Sequence, residues 1–595
     1  MPRRRRGTNF ARASADEEGT MRTPTGAILF AALCAAAFPM TRCELEDYIP
    51  SGTHLSLGVG DDEMTVTWRT AAPTGSVVEY GPYDPHASAD PSANLPESQS
   101  GESSEFEDGG KARTRRVMHA VTLTGLEPGA KYSYRVGDPT RDAWSQVFWF
   151  TAKRTPRQIA EGPPLKILAV CDIGHEESAE LLSFVRSEVH DPRTHGGRVP
   201  DFLIHCGDFA YDLHGDDGAV GDAFMEDIQP IAAYLPYMTS AGNHESAYNF
   251  SHYTNRFNMP GEDAKRTGNH YYSFDAGPAH VVAWNTEAFF FPEFFDEAYV
   301  ARMYEWLEKD LAAANANREN VPWIVAYSHR PMYCPTTEKT TTQTRRGEAR
   351  SEIGVLRGRL PRAIRAFAAQ LTGRTGEAAE EPAEEPVETV GGSRRQLCDW
   401  EHEATRLGYR SQCDAAYGLS CSRAATTTTV EGVEGVESVV VGTPKNYPVE
   451  ELYHRYGVDL ALTGHKHNYE RFYPAYDEVA DARAGAFFER YESPAATVHV
   501  VTGAGGNPSM NDKGKKPRRG RCDEEGGAPW CAYVAGVDNH DRLSDFTYSR
   551  VTMHNATTLE WEQMSALEGG EVIDRFYIVA PTHGSFAREG LAVQK

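Results

Sequence analysis

A chain of 595 residues exceeds what one hydrophobic core usually supports, so two domains with linkers or insertions are expected. Hydrophobic residues make up 40% and charged residues 24%, proportions that set aside fibrous and wholly disordered classes. The formal net charge of -25 speaks against nucleic acid as the main partner, because a polyphosphate chain would be repelled.

Residues 1–45 read as an N-terminal extension with a signal peptide. After Arg22, the run Gly26 to Phe38 holds only small and apolar residues, too short to span a bilayer but suited to a signal core. Secretion, or delivery to a vacuolar or lysosomal lumen, is the expected destination, with no stable membrane span. The sequons Asn249-Phe250-Ser251 and Asn555-Ala556-Thr557 fit an exported glycoprotein.

Residues 46–154 carry an all-β pattern. Met64 to Trp68 and Val117 to Leu123 alternate, Val77 to Tyr80 is a short strand, and a Pro128-Gly129 turn precedes the strand Lys131 to Val136. A buried Trp68, and Tyr132 at the position of a tyrosine corner, predict a fibronectin-III-like sandwich. Asp84 to Gly110, rich in Ser, Pro, Asp and Glu, reads as a long exposed loop, and Thr155 to Pro164 as a polar linker.

From Leu165 strands alternate with helical stretches such as Glu177 to Val189 and Ala301 to Ala314, so residues 165–580 are expected to form an α/β domain. Residues 373–442 interrupt it with a Glu/Pro block, three Cys and a Thr run, and read as an inserted, partly disordered segment. Strands within residues 496–580 are expected to complete the domain.

Five apolar runs of this domain end on polar residues of one kind. Leu165 to Cys171 leads to Asp172, Leu203 to Cys206 to Asp208 and Tyr211, and Tyr234 to Ser240 to Asn243 and His244. Trp323 to Ser328 leads to His329, and Val458 to Leu462 to His465 and His467. In open α/β sheets chemistry collects at the carboxyl ends of strands, and mixed Asp, Asn and imidazole donors suit first-row metals, whereas a calcium site would be all oxygen. Together these segments supply enough donors for two metals sharing a bridge.

These blocks resemble the purple acid phosphatases, a branch of the calcineurin-like metallophosphoesterases. The matching segments are Asp172-Ile173-Gly174, Gly207-Asp208-Phe209-Ala210-Tyr211, Gly242-Asn243-His244-Glu245, Ala326-Tyr327-Ser328-His329 and Gly464-His465-Lys466-His467, with the flanks Arg330 to Tyr333, Asn468 to Arg471 and Thr502 to Gly506. The resemblance implies a four-layer α/β/β/α catalytic sandwich behind the β domain. It implies Asp172, Tyr211 and His467 on a ferric ion, Asn243, His329 and His465 on a divalent ion (Zn, Mn or Fe(II)), and Asp208 bridging both. It also implies an acid phosphatase that hydrolyses small-molecule or protein phosphate monoesters by in-line attack of a hydroxide on the metals. His244 is then the residue that contacts phosphate and protonates the leaving alkoxide, and Glu245 is expected to orient it. Plant-type members carry paired histidines after the His329 block; Pro335 to Lys339 has none, so the chain looks more like the animal-type long form.

Competing readings are a phosphodiesterase or nucleotide pyrophosphatase on the same site, and a secreted binding protein with a vestigial site. His175 reads as an exposed loop residue, and Lys513 to Arg521 as a solvated basic loop. Among the cysteines, Cys171 and Cys206 lie in apolar strands and are expected as free buried thiols, while Cys522 and Cys531 are close enough for one small disulfide loop.

Overall fold

The computed structural model describes residues 45–86, 91–191, 199–333, 405–406, 447–481, 483, 488–507, 518–522, 530–536 and 545–586. The signal-peptide segment, the Glu/Pro block and most of the basic loop lie outside the described residues.

The N-terminal domain is two antiparallel sheets. One has strand order β1 (Ser51–Leu57), β2 (Met64–Thr70), β6 (Arg115–Leu123), β5 (Glu102–Glu107); the other is built from β3 (Val77–Pro82), β4 (Glu97–Ser100), β7 (Lys131–Asp138), β8 (Ala143–Trp144) and β9 (Phe148–Thr151). Alternation along β2 and β6 turns Met64, Val66, Trp68, Val121 and Leu123 inward. Trp68 is fully buried and stacks on His119, whose ring bonds Thr70 and Ser76 at 2.8 Å each. Tyr132 Oη accepts from the backbone N–H of Glu127, five residues upstream, as a tyrosine corner requires.

The expected long loop contains two strands: β4 and β5 lie inside Asp84 to Gly110. Both are edge strands, which need only one inward side chain such as Phe106 and carry charge on the outer row, so their polar composition hides them. The linker likewise contains a short helix, α1 (Pro156–Glu161), started by a reciprocal cap between Thr155 and Gln158 with Pro156 at its first position.

The catalytic domain stacks two sheets between helices. The first has the order β14 (Tyr237–Thr239), β12 (Phe202–His205), β10 (Leu165–Val170), β26 (Thr547–Asn555), β27 (Thr558–Ser565), β28 (Glu571–Val579), β22 (Arg490–Glu492). The second runs β15 (Tyr271–Ala276), β16 (Ala279–Trp284), β17 (Trp323–Tyr327), β18 (Leu460–Thr463), β23 (Val498–Thr502), β19 (Tyr469–Phe472), β25 (Cys531–Gly536), β24 (Arg518–Arg521). Two-residue strands, β11 (Ile173–Gly174) with β13 (Phe209–Ala210) and β20 (Ala475–Tyr476) with β21 (Val479–Ala480), form small extra pairs.

Helix α2 (Ala179–His190) packs on β26 and on α3 (Ala219–Ala232), which in turn lies against β1 of the N-terminal domain, while α6 (Glu297–Ala316) packs on β16 and on α7 (Val449–Tyr456). Two shorter helices, α4 (Ala247–Arg256) and α5 (Gly261–Thr267), lie between them in the chain. The parallel strands β10, β12, β17, β18 and β23 are buried along their whole length, the pattern of a sheet covered on both faces. Lys166, in the middle of this apolar set, reaches Glu188 of α2 at 3.0 Å, and Arg550 of β26 shares that carboxylate at 2.6 Å.

Cys171 and Cys206 are not free thiols; they are joined by a disulfide across β10 and β12, whose parallel pairing sets Val170 beside His205. Nothing in their spacing showed that two apolar strands 35 residues apart would be neighbours. The expected Cys522–Cys531 disulfide is present.

Candidate metal centre

The seven predicted donors meet at one place, where β10, β12, β14, β17 and β18 deliver their carboxyl ends. Tyr211 Oη lies 3.2 Å from Asp172 Oδ1 and 3.3 Å from His467 Nε2. Asn243 Oδ1 lies 2.9 Å from His465 Nδ1 and 3.1 Å from His329 Nε2, and Asp208 Oδ1 is 3.3 Å from His329 Nε2. Two sets emerge whose donor atoms all lie within 4.8 Å of one another: Asp208 with His329 and His465, and Asp172 with Asp208 and His467. Asp208 belongs to both.

Two donors each about 2.1 Å from one cation stand about 3 Å apart at a right angle, so these separations fit a metal-bound set. The two loops that carry the aspartates turn with left-handed φ, 62° at Asp172 and 57° at Asp208, a conformation non-glycine residues hold only when their surroundings enforce it. Glycines make room for the carboxylates: a Cβ on Gly464 would stand 2.3 Å from Asp172 Oδ2, and one on Gly242 2.3 Å from Asp208 Oδ1.

The electrostatics call for positive charge. Burial pushes Asp172 well above the usual carboxylate range, against the pull of His329 and with the push of Asp208. Asp208 is buried as deeply, yet His329, His244 and His465 hold it below that range. Burial would lower His329, but Asp208 raises it to about 10. Tyr211 is driven up by burial and by both aspartates, whereas burial lowers His467 to about 4, leaving the neutral ring a ligand needs. A pocket of two carboxylates, a phenol, a carboxamide and three imidazoles, with no thiolate, suits hard or borderline cations.

His244 stands beside this cluster. Its Nδ1 bonds Asp212 Oδ1 at 2.5 Å, so its Nε2 faces the centre, 3.9 Å from Asp208 Oδ2. Burial works against the charged ring, but Asp212 and Asp208 together raise it to about 9. Glu245, expected to orient His244, does something else. Its carboxylate accepts the backbone N–H groups of Asp208, Phe209 and Gly242 at 2.8 to 2.9 Å, fastening two ligand loops to each other.

Sequence reasoning missed Asp212, the residue that directly follows the Gly207 to Tyr211 block. Asn507, one residue past the Thr502 to Gly506 flank, lies 3.1 Å from His467 Nε2. Arg330 makes a buried two-pronged pair with Glu287 and sets Nη1 3.2 Å from His465 Nε2; nothing in the sequence pointed to Glu287. His175 bonds Asp227 at 2.6 Å and stays outside the donor set. Asn249 and Asn555 are exposed, and Asn249 sits in a left-handed stretch from Tyr248 to Phe250.

The model of the purple acid phosphatase N-terminal domain matches residues 50–152, that of the calcineurin-like phosphoesterases residues 165–356, and that of the iron/zinc purple acid phosphatase-like protein C residues 496–575. Acid phosphatase type 7 of Danio rerio is 32% identical over 538 residues, 90% of this chain and 92% of that protein. The chain belongs to the purple acid phosphatase family. Acid phosphatase type 7 of Homo sapiens is 30% identical over 537 residues, covering 90% and 92%. Purple acid phosphatase 15 of Arabidopsis thaliana is 29% identical over only 50% of this chain and 59% of its own length, so the likeness to the animal proteins is the more extensive. Purple acid phosphatase PPD1 from yellow lupin seeds superposes with a TM-score of 0.57 at 20% identity, covering 90% of this chain and 75% of that one, and shows the shared fold. Enzymes of this family depend on two metals, which agrees with two donor sets sharing one aspartate.

Proposed function

We propose that this chain hydrolyses phosphate monoesters at acid pH, with Asp172, Tyr211 and His467 holding Fe(III), Asn243, His329 and His465 holding Zn, Mn or Fe(II), and Asp208 shared. The observation that carries the reading is the convergence of seven donors from five strand ends into two sets with one common carboxylate. When bound, the metals supply Lewis acidity that activates water and holds a phosphate dianion.

The chain's own residues do the rest. The bond from His329 Nδ1 to the carbonyl of Cys206 (2.8 Å) orients the ring so that Nε2 faces Asn243 and Asp208, where it would bind a metal in place of its proton. A phenolate at Tyr211 would suit a hard trivalent ion and would give the loaded centre a visible absorption. His244, held by Asp212, keeps a proton at Nε2 for the leaving oxygen. The apolar run Gly26 to Phe38, the exposed sequons at Asn249 and Asn555 and the two disulfides support export to an oxidising compartment.

Metal analysis with a visible spectrum of the purified protein tests the assignment. Two metals per chain and a visible band are expected, with hydrolysis of p-nitrophenyl phosphate at acid pH. Tyr211→Phe keeps the ring and removes the oxygen, so the band should vanish while the fold survives. An unchanged band in that variant would mean that Tyr211 is not on the ferric ion.

A further inference from the structure

The parallel pairing of β10 with β12 breaks where the metal ligands begin. Val170 faces His205, an offset of 35 residues, while beyond the break Ile173 faces Phe209, an offset of 36. One residue on the second strand is therefore extra. Asp172 N–H donates to the carbonyl of Gly207 at 3.1 Å, and Phe209 resumes the pairing, so the extra residue is Asp208. Its own N–H bonds Glu245 instead of the neighbouring strand. A bulge of this kind re-aims a side chain, and here it sends the shared carboxylate out of the sheet to both donor sets.

The disulfide sits at that break. Cys171 and Cys206 directly follow the last paired residues of the old register, Val170 and His205, with Cα atoms 4.7 Å apart. Asp172 follows Cys171 at once, and Asp208 is two residues beyond Cys206. Backbone atoms of the two cysteines serve the site as well. The carbonyl of Cys206 accepts from His329 Nδ1, and Cys171 makes backbone bonds with Thr502, the last residue of β23, and with Gly505 in the loop that leads to Asn507.

From this placement we infer that the Cys171–Cys206 disulfide is a positioning element of the metal centre: it locks the register at which Asp208 is expelled and so governs how firmly the metals are held. The inference rests on the ligand assignment above. A weakly pinned register slips, and a slip of one residue here would return Asp208 to the sheet.

The test compares two ways of removing a disulfide from the full-length, metal-loaded protein. Alkylation of the denatured wild type without reductant, followed by peptide mass analysis, should show Cys171 and Cys206 in one linked pair; two separately alkylated cysteines would overturn the inference. The variants Cys171→Ala/Cys206→Ala and Cys522→Ala/Cys531→Ala are then challenged with a chelator, and the rate of metal release is read beside the melting temperature. Both should melt earlier, but only the first should release metal at least tenfold faster than wild type. Equal release rates in the two variants would reduce the bond to a general staple and overturn the positioning role. Cys171→Val/Cys206→Ala, which refills part of the lost volume, replaces the first variant should it fail to fold, with the same expected tenfold change. A wild type that takes up no metal would sink the ligand assignment and this inference with it, whereas metal uptake with unlinked cysteines sinks the inference alone.

Discussion

His244 and Asp212 can be separated from the ligands by what their loss does to different substrates. Nitrophenolate leaves without a proton, whereas an alkoxide from a sugar or serine phosphate does not. General acids contribute about 10²–10⁴ in rate, so His244→Ala should lose that much on alkyl phosphates and clearly less on aryl ones, at unchanged metal content. Asp212→Asn leaves His244 present but unheld. It should show the same asymmetry at a smaller size, a loss of about 10- to 100-fold on alkyl substrates. Equal losses on both substrate classes would make the pair a phosphate-binding device only. The candidate donors were legible in the sequence because each lies at or shortly after the end of an apolar run, and the sheet brings those ends together. Glu245 was visible but misread: adjacency to His244 suggested a partner for the ring, whereas its side chain reaches 37 residues back to the amide of Asp208. Glu287 could not be read at all, since what selects it is Arg330, 43 residues away.

At the level of strands and helices, His280 makes a pH-dependent tie. On β16 it bonds Asp275 of β15 at 2.7 Å and Asp310 of α6 at 2.9 Å. Burial disfavours its charge, but the two carboxylates raise it to about 9 from an unfolded value of 6.5. A raised pKa in the folded state stabilises fully below pH about 6.5 and is lost as pH climbs through about 9; the ceiling is about 3 kcal/mol, reduced by the half-exposed Asp275. The melting temperature should therefore fall across that window, and His280→Gln should flatten the fall. A slope unchanged by the substitution would place the effect elsewhere. Elements with a continuous apolar run or clear alternation were read from the sequence to within a few residues, Val498–Thr502 among them. The edge strands β4 and β5 were not, because an edge buries little and its pairing partner, not its own composition, makes it a strand.

Across the whole molecule, the inserted segment is less detached than its composition suggests. Arg406, one of its two described residues, is buried and pairs with Glu450 at 3.0 Å, beside Tyr333, which donates to the same carboxylate. Removing a cation from a buried carboxylate costs about 3–5 kcal/mol, so Arg406→Ala should lower stability by roughly that amount in denaturant titration. Deleting residues 377–388 of the Glu/Pro block should leave turnover nearly intact, and a collapse of metal content on that deletion would show the block folds over the site. The two domains, joined through residues 155–164, share a polar seam that no local pattern announces. Arg69 and Arg116 from the β domain meet Arg256 of α4 on one carboxylate, Asp222 of α3, while His252 of α4 bonds the buried Asp108 and Tyr134 donates to the carbonyl of Ala233. A fragment encoding the catalytic half alone would strip two of the three cations from Asp222 and uncover the side of α3 that packs on β1, so that half should be less stable by itself than within the full chain.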